Sequence, residues 1–172
     1  ALEAGASWVN DVSAMRHDPD MIDVAKKADV VVIMHMRGDP QTMQDGVIIY
    51  DDVVRDVATF LAERVTVLTA AGFERRRILV DPGIGFGKRL THNLELTRRL
   101  VDLVGDAAGI LYGPSRKRFL GEITRTEKAE ERDAATVGAI CFAASHGADI
   151  VRVHNVGGSV QALRVIRALT FA

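Results

Sequence analysis

Cysteine is almost missing from this chain, with Cys141 the single one among 172 residues. No internal disulfide can form, so a packed core must hold the fold. With no signal-like start, the expected setting is reducing and cytoplasmic. Long apolar runs are missing too. No stretch approaches the roughly 18 residues that span a bilayer. An excess of either charge is absent: the net charge is −1 and no basic tract occurs. Aromatic residues are few, at 5%. Together these remove the footprint of a nucleic-acid binder and of a membrane surface. No Cys/His cluster has zinc spacing. The glycines near residue 85 are followed by neither a Walker GK[ST] nor the third glycine of a dinucleotide fingerprint, and no Ser/His/Asp nucleophile arrangement stands out. An initiator Met is lacking as well. ALEAGA reads as the last turn of a helix stopped by Gly5, so further residues are expected upstream.

What is present is an ordinary globular composition, 48% apolar and 26% charged. The length suits one domain with enough mass to bury a core. Short β-rich apolar runs recur at residues 7–12, 30–34, 78–80, 109–112 and 150–153. Helical patterns lie between them. The clearest follows Asp51 and Asp52, a fair N-cap pair: Val53, Val54, Val57, Phe60, Leu61, Arg64, Val65 and Leu68 form one stripe, and Gly72 closes the helix. Further helices are expected over 21–27, 93–104, 133–146 and 159–169. Five alternations of strand and helix predict an α/β fold with a parallel sheet. Eight such units would need about 250 residues to close a barrel. Five leave either an open doubly wound sheet or a barrel without its first three strands.

The chemically capable residues gather at strand ends. The first run ends in Asn10 and Asp11, and the second in His35 and Arg37. The third ends in Asp81, the fourth leads to Ser115, Arg116 and Lys117, and the fifth ends in Arg152 and His154. Ligands of parallel α/β folds bind outside the carboxyl ends of the strands, so these groups are expected at one mouth. A carboxylate at a buried strand tip needs donors or a cation. For Asp81 a ligand with two adjacent N–H donors, such as an amidine-like ring edge, would serve. Pro82 stiffens the exit, and Gly83, Gly85 and Gly87 allow a flat ligand close approach. Lys117 suits a ring carbonyl or nitrogen, and Asn10 offers both a donor and an acceptor. Arg152 and His154 alternate along their strand, which makes them a candidate anion clamp.

Plainer readings stand beside these. Asp81 alone could be a turn residue, and Arg116 with Lys117 a solvated pair. Met34 could be packing, and His35 a core residue or loop support. Asp11 and Ser13 could cap the next turn, and residues 125–132 read as a solvated loop and helix start. Cys141 reads as a small buried hydrophobe.

VNDVS, MHMRGDPQTMQ, DPGIGFGK followed by HNLEL, GPSRKRFLG and RVHNV fall in one order over nearly the whole chain. In these pieces the sequence resembles the dihydropteroate synthase family of pterin-binding TIM barrels, a sulfonamide target in folate biosynthesis. The resemblance implies a (β/α)8 barrel of which strands four to eight are here, all in one domain. It implies condensation of 6-hydroxymethyl-7,8-dihydropterin diphosphate with 4-aminobenzoate. Asp81 and Asn10 would hold the pterin edge, with Met34 on the wall and Gly85 and Gly113 leaving room for the ring. Lys117 would contact pterin and aminobenzoate, and Phe86 and Ser115 would help form the aminobenzoate site. Arg152 and His154 would bind the leaving diphosphate, with Mg2+ carried mainly by its oxygens. Lys117, Arg152 and His154 are thus the expected catalytic groups. A cytoplasmic homodimer is expected.

Some features depart from the family. Its first three strands, with an Asn-x-Thr-Pro-Asp loop, lie outside this sequence, and these 172 residues alone would leave an open, inactive barrel. Asn155 stands where the family usually has Asp, and Pro114 where Ala or Met is common. Two alternatives compete: a methyltetrahydrofolate-type methyltransferase domain, which would not need Arg152, His154 or the SRK segment, and a non-catalytic pterin-binding homologue.

Overall fold

A computed structural model describes residues 1–38 and 48–170. Residues 39–44 of the MHMRGDPQTMQ stretch lie outside the described residues. Five strands run in chain order: β1 (Trp8–Asp11), β2 (Val30–Met34), β3 (Ile78–Asp81), β4 (Gly109–Tyr112) and β5 (Ile150–Val151). Among the described residues six α-helices accompany them: α1 (Met21–Ala25), α2 (Val53–Ala70), α3 (Leu90–Arg98), α4 (Arg118–Thr124), α5 (Asp133–Ala144) and α6 (Val156–Thr170). Every strand pair is parallel, and the order across the sheet is β1-β2-β3-β4-β5. A doubly wound sheet reverses its order at a switch point. No reversal occurs here, which resolves the two architectures left open by periodicity: the sheet is a half-barrel, a partial TIM barrel.

The two faces of the sheet differ. Val31, Ile33, Ile78, Val80, Ile110 and Tyr112 point outward into the main core, under the α2 stripe of Val53, Val54, Val57, Leu61, Val65 and Leu68. Val32, Leu79 and Leu111 point inward and, with Val30 and Ile150, form a small apolar floor. Side chains alternate along a strand. Two residues beyond each floor residue, on the same face, come Met34, Asp81, Gly113 and Arg152. Asn10 stands beside Val32 in the β1–β2 register.

Local chemistry sets the element ends. The Asp52 carboxylate accepts N–H bonds from Val54 and Arg55, capping α2 as expected. The Asp11 carboxylate accepts from Ser13 Oγ (2.6 Å) and from the Met15 amide, fastening the turn after β1. The expected helix over 93–104 starts earlier, at Leu90, and stops at Arg98. Arg99 leaves helical geometry, and a 3-10 turn covers Leu100–Leu103. The seven-residue α4 was not foreseen, because RFLGEIT is short and holds a glycine. β5 covers only Ile150–Val151, so Arg152 and His154 lie beyond it. Cys141 is only half-buried, since α5 is packed on one side and its apolar pattern runs around the helix.

Candidate active site

Asp81 is 1% exposed at the tip of β3. Its Oδ1 accepts the Gly83 amide at 2.7 Å, and its Oδ2 accepts from Arg152 Nη2 at 3.0 Å. The other terminal nitrogen of Arg152 donates to Asn10 Oδ1. A Cβ on Gly113 would lie 2.6 Å from Arg152 Nη2, so this glycine leaves the slot in which the guanidinium lies. Asp81, Asn10, Gly113 and Arg152, drawn from four strand ends, thus meet at one point above the apolar floor. Met34 is fully buried beside them, paired with Asp81 in register.

Lys117 forms the next wall. Its ammonium donates to the Ile84 carbonyl and sits 4.4 Å from the Phe86 ring centroid, and its Cδ is 3.0 Å from the Cβ position of Gly85. Burial pushes its pKa down to about 8, while the charge of Asp81 pulls it up and that of Arg152 pushes it down further. Lys117 therefore lies within electrostatic reach of Asp81 and Arg152 while packing on the glycine loop, and the solvated-pair reading fails for it. Arg116 stays on the partly exposed side, where Nε and Nη2 bind the Asp133 carboxylate in a fork at 2.7 and 2.9 Å. A cavity of about 650 Å³ opens beside Gly85, Phe86, Lys88 and Lys117.

The side chains of Arg152 and His154 have different partners. Arg152 turns inward to Asp81. Ser115 Oγ lies 2.8 Å from His154 Nδ1 and accepts the His154 amide at 3.1 Å. The strand alternation that would align the two residues ends at Val151, and the buried Asp81 carboxylate draws in the guanidinium. Ser115 thus links the GPSRK segment to His154.

The signature of the pterin binding enzyme family matches residues 1–154. The chain belongs to this family. It is 44% identical over 98% of its length to the folate synthesis bifunctional protein of Arabidopsis thaliana, of which it covers 37%. Its fold matches Xanthomonas albilineans dihydropteroate synthase with 4-aminobenzoic acid (TM-score 0.90, 42% identity, 99% of this chain and 60% of that one). It likewise matches that enzyme in complex with 7,8-dihydropteroate (TM-score 0.89, 41% identity, 99% and 64%). The chain thus spans under two thirds of the length of these relatives.

In this member of the family the glycine loop is wired from beneath, mostly by residues that sequence reasoning left unassigned. Lys88 is 4% exposed and donates to the carbonyls of Gly83 (3.0 Å), Phe86 (3.1 Å) and His35 (3.4 Å), and lies 2.9 Å from His35 Nδ1. Burial pushes its pKa down to about 7, the charge of Asp81 pulling it up and that of Lys117 adding to the drop. His35 is driven down to about 3, first by burial and then by the Lys88 charge. Asn93 Oδ1 accepts the Gly85 amide at 2.8 Å, and Tyr50 donates to the Gly87 carbonyl at 3.1 Å. His35 is therefore a loop support. Gly83 is obligatory: its φ is +66°, and a Cβ would stand 1.8 Å from the His35 carbonyl oxygen. The sequence offered only a Lys closing the glycine loop and, separately, a His readable as core or loop support; nothing in their spacing joined them.

Proposed function

We propose that the protein is a dihydropteroate synthase, joining the methylene carbon of 6-hydroxymethyl-7,8-dihydropterin diphosphate to the amino nitrogen of 4-aminobenzoate. The carrying observation is the Asp81 pocket. A buried carboxylate, an adjacent Asn10 oxygen and the Gly113 slot hold a planar group with adjacent N–H donors, and an aminopyrimidine edge presents the same donor pattern as the guanidinium seated there. The relatives that bind 4-aminobenzoate and dihydropteroate support this reading.

The chemistry follows from what these residues can hold. The carbon–oxygen bond to diphosphate breaks with its electron pair leaving on oxygen, and the ring system delocalises the resulting cation. The aniline nitrogen then donates its lone pair to that carbon and loses a proton. No protein nucleophile is required. Asp81 and Asn10 fix the ring, Met34 and Gly85 border it, Lys117 faces its polar edge, and Phe86 and Lys117 flank the incoming aromatic acid near the 650 Å³ cavity. Arg152 and the Ser115-bound His154 offset the charge of the leaving group, the step at which stabilisation counts most. Among the described residues no three His, Cys, Asp or Glu side chains converge on a metal position. The cationic groups of this mouth suit a phosphate rather than a metal, so we assign Mg2+ to the diphosphate oxygens and derive no step through it. No helix among the described residues is long and apolar enough to cross a membrane. We place the enzyme in the cytoplasm, and propose a homodimer formed through exposed apolar positions of α5 and α6 such as Phe142, Val160 and Val165.

Dihydropteroate formation, measured on the 172-residue polypeptide and on one extended by the further barrel units of the family, tests the proposal. Turnover by the extended protein, lost in Asp81→Ala, is expected. An extended protein that folds and binds neither pterin nor 4-aminobenzoate would overturn it.

A further inference from the structure

Arg152 makes the contacts that the pocket holds ready for a ring: Asp81 Oδ2 at 3.0 Å, Asn10 Oδ1, and the slot above Gly113. The two partners differ in freedom. The Asp81 side chain is 2% exposed and anchored to the Gly83 amide, whereas the Arg152 side chain is 43% exposed and springs from a residue past the end of a two-residue strand. Arg152 can swing out without disturbing the core. Asp81 cannot follow it, and a buried carboxylate left without a donor is strongly disfavoured. Departure of the guanidinium therefore requires that another planar donor take its place.

We infer that Arg152 is a displaceable occupant of the ring pocket, so that ring binding at Asp81 releases its guanidinium to the anion beside His154. This rests on the synthase reading and deepens it. The exchange makes Arg152 a specificity-determining residue: a ring lacking two adjacent donors cannot displace it. It also ties ring recognition to diphosphate recognition through one side chain. Without a ring, the cation is held by Asp81 and the anion site is weak. With a ring seated, the cation is free. By linkage, the anion strengthens ring binding by the same factor.

Calorimetry on the purified protein separates these claims, with inorganic diphosphate and 6-hydroxymethylpterin, a ring that carries no phosphate, as probes. Diphosphate affinity is expected to rise about tenfold when the pterin is saturating. Arg152→Gln should bind the phosphate-free pterin several-fold more tightly, because nothing has to be displaced, and lose the coupling. Asp81→Asn should bind diphosphate several-fold more tightly with no pterin present, because its guanidinium is already free. It also guards against misfolding of the first variant. Equal diphosphate affinity with and without the ring, or weaker pterin binding by Arg152→Gln, would overturn the exchange and leave the synthase reading standing. Absence of any pterin binding by the unsubstituted protein would overturn both.

Discussion

The glycine loop after β3 and the chain leaving β5 both feed the mouth, yet they are built in opposite ways. The loop is fastened from below by Lys88, Asn93 and Tyr50 and from its own start by Asp81. The β5 exit carries exposed Arg152 and His154 just beyond the shortest strand: the Arg152 amide still donates to the Tyr112 carbonyl at 3.0 Å, while its guanidinium and the His154 ring are held by side-chain bonds. On the proposed reading the grip on a ring is preformed, which lowers the ordering cost of binding. The cationic side is adjustable, which suits a partner that leaves during the reaction.

The sharpest way to break this contrast is at its joint. Asp81→Ala removes the acceptor that the loop presents and the anchor that holds Arg152. Pterin diphosphate affinity, read by calorimetry, is expected to fall more than about 100-fold, roughly 3 kcal/mol or more, as for a lost buried charged hydrogen bond. Arg152→Ala should weaken diphosphate binding while the phosphate-free ring is retained. Next in size is the loop itself. Lys88→Met strips the donor from three buried carbonyls, each costing about 1–3 kcal/mol when unsatisfied. A loss of about 3 kcal/mol in urea unfolding is expected, together with a higher KM for 4-aminobenzoate as Phe86 moves. An unchanged unfolding midpoint would show that the loop is not fastened from beneath.

Acid should loosen the loop more gently. His35 is held down to about 3 against an ordinary value near 6.5. Between these two values the unfolded chain binds a proton that the folded one refuses, so stability falls as pH drops through that window. From pH 6.5 to 5 the loss from this one group is about 1.5 kcal/mol. Urea unfolding of the wild-type chain and of His35→Asn over that range checks it; the two should differ in slope, the variant being flatter.

Much of this architecture could be read from residues 1–172 without coordinates, and the physical reason is period. Strands β2, β3 and β4 are runs with clear ends, and Asp52 and Gly72 mark α2 at both termini. The convergence of Asn10, Asp81, Lys117 and Arg152 followed from the rule that strand ends share a mouth. Three features were hidden. The order of the strands in the sheet has no sequence signature, so barrel and doubly wound sheet looked alike. The Lys88–His35 support joins residues 53 apart in sequence, which neither helical nor strand spacing reveals. The inward turn of Arg152 depends on where β5 stops, and two apolar residues followed by Arg152-Val153-His154 read equally well as a longer strand.

The smallest expected effect lies on the adjustable side, at Asn155. Its Nδ2 donates to Asp133 Oδ2 at 3.3 Å and its Oδ1 accepts the Gly158 amide at 3.0 Å, bridging Asp133 to the first turn of α6. An aspartate here, as the family resemblance would suggest, keeps the bond to Gly158 and gains from the helix N-terminus. It loses the donation to Asp133 and sets two carboxylates side by side with Arg116 shared between them. These effects oppose one another, so Asn155→Asp should shift the thermal midpoint by no more than about 2 °C. The added negative charge beside His154 should weaken diphosphate binding two- to threefold at low salt and fade as salt is raised, as a partly screened charge does. A larger loss that salt does not relieve would mean that Asn155 fixes the geometry of the β5 exit. The contrast with the glycine loop would then shrink to a difference in exposure alone.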